Sequence, residues 1–101
     1  MKSIEAEEII GELDEIIFLI GNRDICYLFH VDKKIKVVKL SINAMDIILK
    51  EFSFIRINLY NIINTKFYLK NNPGRKKEII LKNGIILSVS RKVWKVFENI
   101  T

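Results

Sequence analysis

Twenty of the 101 residues are isoleucine and only two, Ala6 and Ala44, are alanine. That bias limits the fold more than any motif does. β-Branched side chains lose rotamer freedom against a helical turn and pack well on a pleated surface, so the chain favours strands. The length fits a single domain, residues 1–101, with a modest core. Half of the residues are hydrophobic and 29% are charged, a globular balance rather than a disordered one.

Turn chemistry divides the chain. Ile16 to Ile20 and Ile25 to Val31 read as strands around the short loop Gly21-Asn22-Arg23-Asp24, and a third, Ile35 to Leu40, follows Asp32-Lys33-Lys34. Ser41 can cap a short helix to about Glu51, with Ile42, Met45, Ile48, Leu49 and Phe52 at helical spacing. Residues 54–60 alternate Ile55, Ile57 and Leu59 against Arg56, Asn58 and Tyr60. The alternation predicts a strand with Leu59 directed inward and Asn58 and Tyr60 outward. Strands from Phe67 to Lys70 and Glu78 to Lys82 flank Asn72-Pro73-Gly74-Arg75, whose Pro-Gly pair suits a type II turn. Asn83-Gly84 is the strongest hairpin signal and leads into Ile85 to Val89. Ser90 can cap a last helix with Val93, Trp94, Phe97 and Ile100 on its apolar side. Trp94 and Phe97 therefore read as core rather than as a base-stacking platform. The expected class is mainly β, with one internal and one terminal helix.

The net charge of +5 conceals an asymmetry. Residues 1–15 hold one lysine against six acids, net −5, and read as a solvated acidic end. Residues 16–101 hold sixteen lysines or arginines against six acids, net +10. A body that basic suits a polyanion partner. The longest apolar run, Ile16 to Ile20, is far short of the roughly 18 residues of a membrane span. The acidic start is also wrong for a signal peptide. A lone cysteine, Cys26, excludes an internal disulfide and fits a reducing cytoplasm.

Enzymatic chemistry finds no foothold. His30 is the only histidine, shares a strand pattern with Cys26, and has no third ligand in sight. The four glycines form no phosphate loop. No catalytic residue, metal, cofactor or small-molecule substrate is expected. The arginines say more. Lysine outnumbers arginine thirteen to four, so lysine is this chain's default cation. Arginine adds a planar fork that can read guanine or clamp a phosphate. Arg23, Arg75 and Arg91 fall in or beside connections, and Arg56 on the polar side of the 54–60 strand.

The segment Phe54-Ile55-Arg56-Ile57-Asn58-Leu59-Tyr60-Asn61-Ile62-Ile63-Asn64, followed by Asn83-Gly84 and then Ser88-Val89-Ser90-Arg91, resembles the LytTR family of bacterial DNA-binding domains. Asp14 to Leu19 looks like that family's Asp-x-Ile-x-Tyr-Ile strand, and Ser41 to Leu49 like its internal helix. The resemblance implies an elongated stack of small antiparallel β-sheets and a sequence-specific transcriptional regulator of duplex DNA. Such a protein reads DNA through loops rather than a recognition helix, as two copies on repeated half-sites. It further implies that Asn22 and Arg23 lie in a base-reading loop and that Arg91 enters the other major groove. Lys92 and Lys95 would lie near phosphates, beside the start of a helix at Ser90, with Asn58 and Tyr60 on the intervening backbone. The chain departs from the family at Asn58-Leu59-Tyr60-Asn61, where His, a polar or basic residue, Ser and an aromatic are common. Leu59 cannot hydrogen-bond a phosphate. With the acidic end, it motivates a second reading: a protein-interaction module of the same fold with a weakened DNA face.

Overall fold

A computed structural model describes residues 2–100. In chain order the elements are β1 (Lys2–Ser3), α1 (Ala6–Gly11), β2 (Ile16–Gly21), β3 (Cys26–His30), β4 (Ile35–Val38), α2 (Ile42–Leu49), β5 (Phe54–Arg56), β6 (Asn61–Asn64), β7 (Tyr68–Asn71), β8 (Glu78–Leu81), β9 (Ile86–Ser88) and α3 (Arg91–Phe97). Six strands form one sheet in the order β1-β4-β3-β2-β6-β5, and β7-β8-β9 form a second. Every pairing is antiparallel except β1 with β4. The mainly β expectation holds, and the principal extents of 38 × 26 × 21 Å give an elongated body.

The six-stranded sheet is the middle of three layers. On one face Ile9 of α1 and Ile42, Met45 and Leu49 of α2 close over Leu19, Leu28 and Ile62. On the other, Phe18 and Ile63 meet Ile79 and Leu81 of the second sheet and Phe97 of α3. Strand β2 runs between both cores, which is why four consecutive apolar residues, Ile16 to Leu19, are all buried. A register shift between Ile16 and Phe18 makes this possible. It leaves Ile16 and Leu19 in the first core and turns Ile17 and Phe18 into the second.

Local signals formed as their chemistry dictates. The Ser41 hydroxyl accepts from Ala44 N at 3.1 Å to cap α2. In the turn from Asn72 to Arg75, Gly74 sits at φ +77° and Arg75 N donates to Asn72 O at 3.2 Å, as a type II turn requires. Asn83-Gly84 closes a three-residue hairpin loop. Gly84 at φ +89° donates to Leu81 O, and Leu81 N donates to Ile85 O.

Two expectations fail. The acidic end is not merely solvated, because it forms α1 and buries Ile4 and Ile9. The strand expected over residues 54–60 stops at Arg56: Ile57 N donates to Asn61 O at 3.0 Å and the chain turns back into β6. Alternation therefore breaks after Ile57, and Leu59 points outward.

Candidate nucleic-acid interface

The connection after β2 is tight because Gly21 lets α2 come close. A Cβ there would collide with Cys26 Sγ and lie 3.0 Å from the Ile42 Cβ, while Ile42 N donates to Asn22 O at 2.8 Å. The Asn22 side chain closes its own loop, its Oδ1 accepting from Asp24 N at 2.8 Å and Ile25 N at 3.0 Å. Asn22 thus shapes the turn, and Arg23 stands exposed at its tip with no ion pair among the described residues.

Arg56 organises the second connection, residues 57–60. Its guanidinium donates to Asn58 O (Nε, 3.2 Å), Leu59 O (Nη2, 2.8 Å) and Asn43 Oδ1 of α2 (Nη1, 2.7 Å), with Asp46 at 3.9 Å. Three donors of one planar fork thereby fix three oxygens. Asn58 is equally committed. Its Nδ2 donates to Asn61 Oδ1 at 3.1 Å and Ser88 O at 2.7 Å, and its Oδ1 accepts from Tyr60 N at 2.8 Å. Gly21 N donates to Tyr60 O at 2.9 Å. The loop is held at almost every residue while Leu59 is 70% and Tyr60 60% exposed. A leucine left in water forgoes roughly 1.5–3 kcal/mol of burial, so this arrangement is not one that core packing selects.

The third connection joins β9 to α3. Ser90 N donates to Ile57 O at 2.7 Å, and the Ser90 hydroxyl accepts from Val93 N at 3.4 Å to cap the helix. Arg91, Lys92 and Lys95 are exposed, and Trp94 stacks on Phe97 with ring centroids 6.4 Å apart as part of the second core.

The three connections are contiguous. Asn22, Arg23, Asn43, Arg56, Leu59 and Tyr60 line one open cavity, and the bonds from Asn58 to Ser88 and from Ser90 to Ile57 join the middle loop to the third connection. Arg23 and Arg91 thus belong to the two outer connections that meet the 57–60 loop, the first at Tyr60 and the second at Ile57 and Asn58. A profile of the LytTr DNA-binding domain matches residues 7–101. The chain belongs to that family. The fold agrees: the LytTr DNA-binding domain of a protein described as a methyl-accepting/DNA response regulator from Bacillus cereus superposes with a TM-score of 0.69 at 19% identity. The match covers 82% of this chain and 77% of that one. No curated protein matches the sequence. This LytTr domain is therefore a DNA-binding domain, and its family is not an enzymatic one.

The groups that could have suggested other chemistry are engaged elsewhere in the LytTr domain. His30 is 4% exposed, with Nδ1 3.2 Å from Leu28 O and Nε2 2.8 Å from Glu12 Oε1. The same Glu12 oxygen accepts from Lys36 Nζ at 2.8 Å, and together Lys36 and His30 hold the carboxyl below its ordinary value. Cys26 is fully buried, and loss of water pushes its thiol up to about 11, leaving it a weak nucleophile. Among the described residues no helix is long and apolar enough to cross a membrane. Sequence reasoning missed Arg56 as an organiser, although its place in the Phe-x-Arg motif was visible. It also missed that Asn58 is used inside the protein, which no local pattern reveals.

Proposed function

We propose that this LytTr domain binds duplex DNA sequence-specifically and regulates transcription in a bacterial cytoplasm, two copies acting on repeated half-sites. Arg23 reads base edges in one major-groove segment and Arg91 in the next. Lys92 and Lys95 meet phosphates beside the Ser90-capped helix. Tyr60 meets the backbone between the arginines, whereas Asn22 and Asn58 contribute by shaping the loops that carry their neighbours. The observation that carries this reading is the contiguity of the three connections, with an exposed arginine in each outer one. The net +10 of residues 16–101 supports it electrostatically.

The test selects a binding site from random duplexes and measures affinity for its single-base variants. Arg91→Ala is expected to lose preference at one position, and Arg23→Ala at another about one helical turn away, each by roughly 1–3 kcal/mol. Lys92→Ala should weaken every sequence alike. An Arg91→Ala variant that behaves like Lys92→Ala makes Arg91 a phosphate contact and removes it as a base reader. A second reading, a protein-interaction module of the same fold, draws on the exposure of Leu59. Failure to bind any duplex at low salt would favour it.

A further inference from the structure

Independently of the DNA reading, we propose that the acidic helix α1 of one copy docks in a basic-flanked groove at the β3–β4 turn of another, a head-to-tail contact between copies of this chain. The groove is a cavity of about 330 Å³ between that turn and the Asn83-Gly84 hairpin. Ile17, Phe29, Val31 and Ile85 make it apolar, and Lys33 and Lys34 stand exposed beside them. The turn is firmly held. Lys33 N donates to His30 O and His30 N to Lys34 O, both at 3.0 Å, and Asp32 Oδ1 accepts from Lys34 N at 2.9 Å. Val31 is 49% exposed although its amide is fixed to Glu15 O at 2.9 Å. Neither lysine has an ion pair among the described residues. The Arg23 loop precedes β3 and this turn follows it, so the groove lies at the far end of that strand from the candidate interface.

An occupant of this groove needs an apolar side chain flanked by acids, and α1 presents one. Ile9 anchors the helix on the first core, which leaves Glu7, Glu8 and Ile10 exposed, Ile10 at 46%. Glu7 and Ile10 are three residues apart and share a helix face. A Cβ at the neighbouring Gly11 would meet nothing within 4 Å, so the space beside Ile10 is open to a close approach. Neither glutamate has an ion pair among the described residues. Ile10 entering the groove would set these carboxylates against Lys33 and Lys34, complementary charge that fixes orientation as well as attraction. One chain cannot satisfy itself in this way. Its α1 covers one face of the six-stranded sheet, whereas Phe29 and Ile85 pack on the other. The contact is therefore heterologous and does not close as a twofold pair. Its small size places it among weak, transient interfaces.

Sedimentation equilibrium of the DNA-free protein over a wide concentration range tests the proposal. Salt is held at about 0.15 M, where charges more than about 8 Å apart are screened and close pairs much less so. The average mass of the wild type should rise with concentration above that of one chain. Lys33→Glu/Lys34→Glu gives a copy with an acidic helix and an acidic groove, and Glu7→Lys/Glu8→Lys a copy with both basic. Each variant alone should keep the mass of one chain, with an unchanged denaturation midpoint, and an equal mixture of the two should associate again. Ile10→Ser, which keeps the charges and removes the apolar insert, should associate severalfold more weakly than wild type. A mixture no heavier than its separate components would overturn the contact, as would an Ile10→Ser variant that associates like wild type. A wild type that keeps the mass of one chain throughout would overturn it too. If Lys33→Glu/Lys34→Glu then also lost affinity for duplex DNA, the groove would belong to nucleic acid instead.

Discussion

Arg56 shows how much one side chain can decide. Its fork reaches two loop carbonyls and a side chain of α2 at once, so it defines the 57–60 loop and ties that loop to a neighbouring helix. Lysine cannot reproduce three divergent donors. Arg56→Lys is expected to destabilise the domain by about 1–3 kcal/mol through its lost hydrogen bonds, as read by urea denaturation. Glu12 acts similarly at the acidic end, joining the segment after α1 to His30 of β3 and Lys36 of β4. Because its folded carboxyl lies below the ordinary value, the unfolded chain binds its proton first as pH falls. The stabilisation is therefore complete above the unfolded value and is lost as pH drops through the folded one. Denaturation of Glu12→Gln and wild type should show a gap at neutral pH that narrows in acid. A gap constant with pH would assign the effect to packing.

At the scale of elements, close approach matters more than propensity. Helix α2 begins against the end of β2 only because Gly21 has no side chain, and Ile42 N bonds Asn22 O across that contact. Gly21→Ala should cost about 1–3 kcal/mol by overpacking against Cys26 and Ile42. It should also disturb the loop bearing Arg23. A shifted denaturation midpoint with an unchanged slope would check the first expectation, since the slope reports the surface exposed on unfolding. The bulge in β2 is the other decisive local feature. By rotating Ile17 and Phe18 out of the alternation it lets one strand serve two cores.

Over the whole molecule, charge is partly neutralised internally. Glu12 engages Lys36, Asp14 engages Lys66 at 3.0 Å, and Arg75 pairs with Glu78 at 3.6 Å. Arg23, Arg91, Lys92 and Lys95 have no such partner among the described residues, which leaves them available to an external polyanion. Duplex affinity should then fall with salt at a log–log slope on the order of −4 to −8. A slope near zero in an anisotropy titration would mean that binding, if present, does not use these cations.

Local chemistry determined much of this protein. β-Branched composition set the class, Ser41 and Ser90 marked two helix starts, Pro73-Gly74 and Asn83-Gly84 marked two turns, and the order of motifs marked the family. These signals are legible because each acts within a few residues of itself. The outcome for Leu59, the break after Arg56, the internal role of Asn58 and the docking of α1 were decided only in three dimensions. Whether an alternating apolar residue is buried depends on a second surface being there to cover it. At Leu59 none is, because Arg56 and Asn58 bind partners 13 and 30 residues away in sequence and turn the chain before the strand can continue.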